Sequence, residues 1–353
     1  MSTQTSAVTP IRSMDASDKR HDPRIVSKYL GEMGDLLRGC VEDPLTEDVV
    51  LNADGKLWAR RRGTKFEVVG EIFDTDALTW LGTVAFMRDE RSLNSQTPLL
   101  ECDLPIYKSR LEALVPPVVV APIFALRPRP KSVMSLRDYA QRGILSHKDD
   151  PNNRRRAREN RLAEIEGMDH LQVLEHAVAN SWNILVAGST GSGKTTLCNA
   201  LLEAQRQLCP TDRILLIEDT PELLCNVENY VALLSSSKFP MQECLRACMR
   251  LKPDRISVGE VRGGEALTLL KAWNTGHGGG FATLHANDAY AALLRLESLI
   301  AEATDARQND LIAEVVNVVV FIDGDPDLPH GRKVKEVCLV TGFENGRYQI
   351  VHV

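Results

Sequence analysis

With 353 residues, 43% of them apolar, the chain is long enough for about two domains, each with its own core. Its net charge of −6 gives no overall electrostatic footprint for gripping nucleic acid or an anionic membrane, so no strong direct nucleic-acid binding is expected. The 8 cysteines form no C-x-x-C pair and show no zinc-ligand spacing, which reads as a reduced chain with buried thiols.

Residues 1–22 are rich in Ser, Thr and charge and lack an apolar stretch; a disordered tail is predicted, neither a secretory signal nor a membrane anchor. From 23 to 130 the text reads as an α+β domain that opens with a helix near Ile25 to Leu37. Further on, Val49-Val50-Leu51 and Lys56-Leu57-Trp58 flank Asn52-Ala53-Asp54-Gly55. That Asp-Gly pair predicts a tight hairpin, because glycine tolerates the positive φ such a turn needs. The most apolar stretch, 111–126, is broken by Pro116, Pro117 and Pro122, and no run reaches the roughly 18 to 20 apolar residues of a membrane helix. No integral membrane segment is therefore predicted. Arg127-Pro128-Arg129-Pro130 can continue neither a helix nor a central strand, which places the domain boundary there.

Residues 131–353 alternate strands with helices, the pattern of an α/β domain with a parallel sheet. Four short, continuous apolar runs predict strands buried on both faces: Ile184 to Ala187, Ile214 to Ile217, Ile256 to Val258 and Phe281 to Leu284. A helix is predicted from Thr195 to Leu208, with Leu197, Leu201, Ala204 and Leu208 on its apolar face. Residues 149–167 form a basic, polar insertion that includes Arg154-Arg155-Arg156 and Arg158 and reads as a solvated surface, with a polyanion-binding patch as the alternative.

Gly188-Ser189-Thr190-Gly191-Ser192-Gly193-Lys194-Thr195 matches the phosphate-binding pattern G-x-x-x-x-G-K-[ST] between a strand and a helix. Each residue type has a reason. Glycines let backbone N–H groups turn toward phosphate oxygens, the helix N-terminus adds positive potential, Lys194 reaches the β- and γ-phosphates, and the Thr195 hydroxyl meets Mg²⁺. Thr196, next on the helix, joins the nucleotide-binding set. The other buried strands also end in polar groups, where open α/β sheets place their ligands: Glu218, Glu260 and His285. ATP hydrolysis needs a group that orients or deprotonates water, a carboxylate on the Mg²⁺ side and a sensor of the γ-phosphate. Glu218 is assigned as general base, Glu260 as the metal-side carboxylate and His285 as sensor, with the two glutamates interchangeable on sequence grounds.

Ile217 to Glu222 resembles the Asp box, Val258 to Gly263 the atypical Walker B motif, and Thr275 to His285 the His box of the type II and type IV secretion traffic ATPases. Pro116-Pro117, Phe124 to Arg127 and Ala272 to His277 are similar to the TrbB-type conjugal-transfer branch of that superfamily. The resemblance implies a RecA-like P-loop NTPase C-terminal domain behind a smaller α+β domain, working as a cytoplasmic homohexamer. It also implies partners among the inner-membrane components of a type IV secretion apparatus, and ATP use for pilus assembly or for DNA and protein transfer. Alternatives are a type IV pilus or type II secretion motor, or a nucleotide-binding scaffold with little turnover. By the same resemblance Arg127, and Arg110 with it, would reach nucleotide from the N-terminal domain. On a helix predicted over Met241 to Leu251, Arg246 and Arg250 lie away from the apolar face marked by Cys244, open to a neighbouring subunit or simply to solvent.

Overall fold

The computed structural model describes residues 20–88, 93–130, 135–145 and 160–353. Of the tail expected over residues 1–22, residues 1–19 lie outside the described residues, as do Arg154 to Arg156 and Arg158 of the basic insertion, whereas residues 20–22 are ordered, because Asp22 caps the first helix.

Helix α1 (Pro23–Glu42) starts on an Asp22 carboxylate that accepts from the Arg24 amide, with proline at its first position where no N–H is needed. It runs five residues beyond the predicted end, past a break at Gly34, whose φ of 72° only glycine adopts readily. Strands β1 (Thr46–Leu51), β2 (Lys56–Arg61) and β3 (Phe66–Glu71) follow, then helix α2 (Asp74–Arg88) and strands β4 (Leu99–Asp103), β5 (Arg110–Leu114) and β6 (Ile123–Arg127). They form one antiparallel sheet in the order β3-β2-β1-β6-β5-β4. The expected hairpin is present: Leu51 pairs with Leu57, and the turn closes through the Gly55 amide on the Asn52 carbonyl at 3.0 Å. Alternation then divides the strands between two faces. Val49, Leu51, Phe124 and Leu126 pack under α1 and α2, whereas Val50, Trp58, Ile123 and Ala125 join the core of the second sheet.

After the six-residue helix α3 (Leu136–Gln141) come α4 (His170–Ala179), β7 (Ile184–Ala187), α5 (Lys194–Leu208), β8 (Ile214–Glu218), β9 (Tyr230–Leu234) and α6 (Met241–Cys248). Then follow β10 (Arg255–Val258), α7 (Glu265–Asn274), β11 (Phe281–Leu284), α8 (Ala289–Ala301), α9 (Asn309–Val315), β12 (Val318–Gly324), β13 (Arg332–Glu344) and β14 (Arg347–His352). The second sheet has the order β14-β13-β12-β7-β11-β10-β8-β9, parallel from β12 to β9 and antiparallel at β13 and β14. Its parallel strands are buried on both faces, Leu185, Leu215 and Ile217 in one core and Ile184, Val186 and Leu216 in the other, which is why they read as unbroken apolar runs.

Two sequence expectations need correction. The buried face of α5 is Cys198, Leu201, Leu202 and Gln205, while Leu208 is 46% exposed, so the apolar stripe marks one edge of the true face. Gln205 is buried because its amide donates to the Gly279 carbonyl at 3.0 Å, a partner that periodicity cannot reveal. The second correction is α6, which stops at Cys248: Pro253 disfavours helix at the residue before it, and Lys252 takes a φ of 63°.

Arginine stands fully buried at the amino ends of β8 and β10. Arg213, just before β8, donates to Leu251 O at 2.9 Å, to Asn52 Oδ1 of the N-terminal hairpin at 2.6 Å and to Asn229 Oδ1. Arg255, which opens β10, donates to Asp212, to the carbonyls of Val178 and Gly279 and to the Cys209 sulfur.

Candidate nucleotide site

The loop between β7 and α5 owes its shape to its glycines. A Cβ on Gly188 would fall 2.2 Å from the Ile322 carbonyl oxygen, and Gly191 and Gly193 take φ values of 75° and 103°. The loop opens on a cleft of about 420 Å³ lined by residues 190–196, the ends of β8, β10 and β11, and Arg332.

The predicted chemistry groups meet there. Lys194 Nζ donates to the carbonyls of Gly188 (3.0 Å) and Ser189 (2.9 Å) and lies 3.2 Å from His285 Nδ1. An ammonium can only donate, so Nδ1 accepts, and the ring proton on Nε2 faces Glu260 Oε1 at 3.2 Å. Glu260 Oε2 accepts from Arg262 at 2.8 Å. Burial pulls the Lys194 ammonium below the usual lysine range, with Glu260 acting against it. Burial would raise Glu260, but the Arg262 hydrogen bond and charge, with His285 and Lys194, outweigh it and hold the carboxyl below its usual range. Glu218 is buried, and its Oε1 accepts from the amides of Glu222 and Leu223, both at 2.9 Å. Among the described residues Oε2 receives no protein donor. Ser189 turns out of the loop, donating to Asp323 Oδ1 on β12 at 2.7 Å.

Four further residues enter the cleft that the sequence reading did not assign. Glu222 accepts from the Thr195 hydroxyl at 3.2 Å, Asp219 and Glu260 share Arg262, and Arg332 reaches in from β13. Glu222 and Arg262 lie inside the recognised boxes, so reading those boxes to their last charged residue would have found them; nothing in the text around Arg332 announces it.

The other predicted arginines stand elsewhere in the chain. Arg110 and Arg127 face each other across β5 and β6 and line a separate basic cleft of about 980 Å³ with Arg88, Lys108 and Arg129. Arg246 pairs with Glu243 at 2.6 Å on the surface of α6. Arg250 lies beyond that helix and is engaged with Glu101 and Glu112 of its own N-terminal sheet. Cys338, Glu336 and His352, outside the residues that line the cleft, bring sulfur, oxygen and nitrogen atoms within 4.8 Å of one another across β13 and β14, a grouping invisible to cysteine spacing.

A model of the type II/IV secretion system protein family matches residues 156–322. A probable conjugal transfer protein TrbB of Sinorhizobium fredii is 40% identical over 331 residues, 94% of this chain and 94% of its own. The chain belongs to the type II/IV secretion system protein family. Within this family, the conjugal transfer protein TrbB of Rhizobium radiobacter is 37% identical over 94% of this chain and 95% of its own. The type IV secretion system protein VirB11 of Brucella suis is 31% identical over 85% and 87%. The crystal structure of the VirB11 ATPase from the Brucella suis type IV secretion system, in complex with sulphate, superposes with a TM-score of 0.79 at 27% identity, covering 90% of this chain and 95% of that one. The predicted fold class, a RecA-like P-loop domain with a smaller α+β domain, is the fold of this family. No helix among the described residues is long and apolar enough to cross a membrane.

Proposed function

We propose that this chain hydrolyses ATP as a homohexameric ring motor at the cytoplasmic face of a type IV secretion or conjugation apparatus, powering pilus assembly or the transfer of DNA and protein. The observation that carries the reading is the convergence of Lys194, Glu218, Glu260 and His285, from four separate elements, on one cleft beside a complete phosphate loop. The 40% identity to a probable conjugal transfer protein supports the conjugation setting, with inner-membrane components of the apparatus as docking partners.

The residues fit the nucleotide. Among the described residues Ser192 Oγ is buried without a hydrogen-bond partner, a hydroxyl inside the loop that a phosphate oxygen would satisfy. Lys194 exchanges its two carbonyl partners for phosphate oxygens. Glu218, with Oε1 fastened by two amides, presents Oε2 to a water and orients it or takes its proton. His285, linked to both Lys194 and Glu260, registers whether Lys194 has moved onto phosphate. Thr195 and Glu222, with Glu260 across the cleft, offer the hard oxygen donors that suit Mg²⁺. When bound, Mg²⁺ neutralises charge on the β- and γ-phosphate oxygens.

One face of this cleft stays open in the single chain, and arginines delivered by a neighbour accelerate such reactions by about 10³- to 10⁵-fold. Arg127 and Arg110, which line a separate cleft, are assigned to reach nucleotide from an N-terminal domain, their own or a neighbour's, and Arg246 is a candidate from a neighbouring subunit. Arg250 enters a neighbour's cleft only by releasing Glu101 and Glu112.

The test combines ATP turnover with solution mass for the wild type, Lys194→Ala and Glu218→Gln, with Mg²⁺ present. Hexamers that turn over ATP are expected, with both variants inactive and Glu218→Gln still binding nucleotide. A wild type that stays monomeric and silent at every concentration overturns the motor reading in favour of a scaffold.

A further inference from the structure

The order of strands divides the nucleotide cleft into two ends. The phosphate loop leaves the tip of β7, and every group assigned to hydrolysis stands on one flank of that strand: His285 after β11, Glu260 after β10, Glu218 at the end of β8. On the opposite flank stand β12 and β13. Asp323 of β12 accepts the Ser189 hydroxyl at 2.7 Å and so ties that hairpin to the loop. Arg332, the first residue of β13, crosses onto the start of α5, where its Nη1 donates to Thr196 Oγ1 at 3.1 Å. Its side chain lies against Gly193, where an added Cβ would come within 2.8 Å of Arg332 Cδ. The two arginines of the cleft differ in one respect. Arg262 is neutralised by Asp219 and Glu260, whereas Arg332 makes no ion pair among the described residues.

We infer that Arg332 is the binding residue for the α-phosphate of the nucleotide, and that the β12–β13 hairpin clamps its nucleoside end. This deepens the ATP reading proposed above and rests on it. A triphosphate whose terminal phosphate lies among Lys194, Glu218, Glu260 and His285 must run across the end of β7, and its nucleoside then leaves over the only other flank, that of β12 and β13. The α-phosphate falls beyond Thr195, beside Thr196, within reach of a guanidinium already hydrogen-bonded there. A planar fork of N–H donors suits two phosphate oxygens, and with no carboxylate to release, Arg332 gives up just one hydroxyl contact to bind them. The plain alternative is a surface arginine that packs on a helix end, and such a residue would leave nucleotide affinity unchanged.

The experiment measures binding of ADP, and of ATP in a Glu218→Gln background that stops turnover, for the full chain with and without Arg332→Ala or Arg332→Lys. In otherwise wild-type protein, kcat and KM are measured alongside. Arg332→Ala is expected to weaken ATP and ADP by the same factor, about ten- to a hundredfold, raising KM while kcat at saturation holds. Arg332→Lys, which keeps charge but not the fork, is expected to recover part of the loss for both nucleotides. A loss confined to ATP would place Arg332 at the γ-phosphate and overturn the inference, as would a fall in kcat at unchanged affinity. Unchanged constants in Arg332→Ala, with wild type binding both nucleotides, overturn this inference and leave the ATP reading standing. If the wild type binds neither nucleotide, both fall together.

Discussion

The two ends of the second sheet handle charge in opposite ways. At the amino ends, Arg213 and Arg255 are fully buried and spend their donors mostly on neutral oxygens: backbone carbonyls and the amides of Asn52 and Asn229. At the carboxyl ends, Lys194, Glu260, Arg262 and His285 are half-exposed or exposed and hold one another in pairs. A buried cation held by neutral dipoles, with the Asp212 carboxylate added at Arg255, has nothing to exchange, because removing any partner leaves a charge short of its compensation away from water. Half-exposed ion pairs give up little when one member turns to a new ligand. The amino end is thus built to stay, and the carboxyl end to be recruited.

That contrast can be broken from either side. Glu218→Gln is expected to lower turnover by about 10²- to 10⁴-fold while the urea unfolding midpoint stays in place. If the midpoint falls as far as the activity, the cleft is part of the scaffold and the contrast fails. Arg213→Leu should do the reverse: a loss of about 1 to 3 kcal/mol in equilibrium unfolding, from the Asn52 Oδ1 and the Leu251 carbonyl left without a donor, with nucleotide affinity retained in the fraction still folded.

Glu112 sharpens the comparison through pH. Burial pushes its carboxyl up to about 7, Glu101 opposite it adds to the rise, and Arg250 opposes it. The folded chain therefore holds a proton that the unfolded chain, with an ordinary carboxyl near 4.5, has released. Stability contributed by this group falls as pH rises from about 4.5 to about 7, by up to about 1.4 kcal/mol per pH unit, and is flat above. Urea midpoints at either end of that window should show the slope in wild type and its loss in Glu112→Gln. The smallest effect is expected at Arg246→Ala, whose exposed pair with Glu243 should shift unfolding by less than about 0.5 kcal/mol. Reduced turnover at that constant stability assigns Arg246 to a neighbouring cleft, and unchanged turnover makes it solvated surface.

The central strands and the phosphate loop were readable in the text because their physics is local. A strand covered on both faces must be apolar throughout, and a loop around phosphate must carry glycine where a Cβ would collide, as Gly188 would with Ile322. Glu218, Glu260 and His285 were readable from their place after those runs. What stayed hidden depends on partners distant in sequence. Arg213 and Arg255 look like surface charges until Asn52 and Gly279 are brought to them, and Gln205 reads as solvent-facing for the same reason. Arg332 has no motif around it, and the antiparallel pairing of β12 with β13 alone carries it to the loop. Helix α6 looked longer because its apolar spacing continues to Leu251, and the proline at 253 ended it sooner.

Each strand that delivers a glutamate to the cleft is also rooted in a buried arginine: Arg213 ahead of Glu218, and Arg255 ahead of Glu260. Five residues of β8, about 17 Å of stiff extended backbone, separate the hairpin oxygen of Asn52 from the carboxylate beside the phosphate loop. Arg213 therefore joins the N-terminal hairpin to the foot of the same strand that carries Glu218 at its tip, so one buried side chain sets where the hairpin stands relative to the line that leads to the cleft.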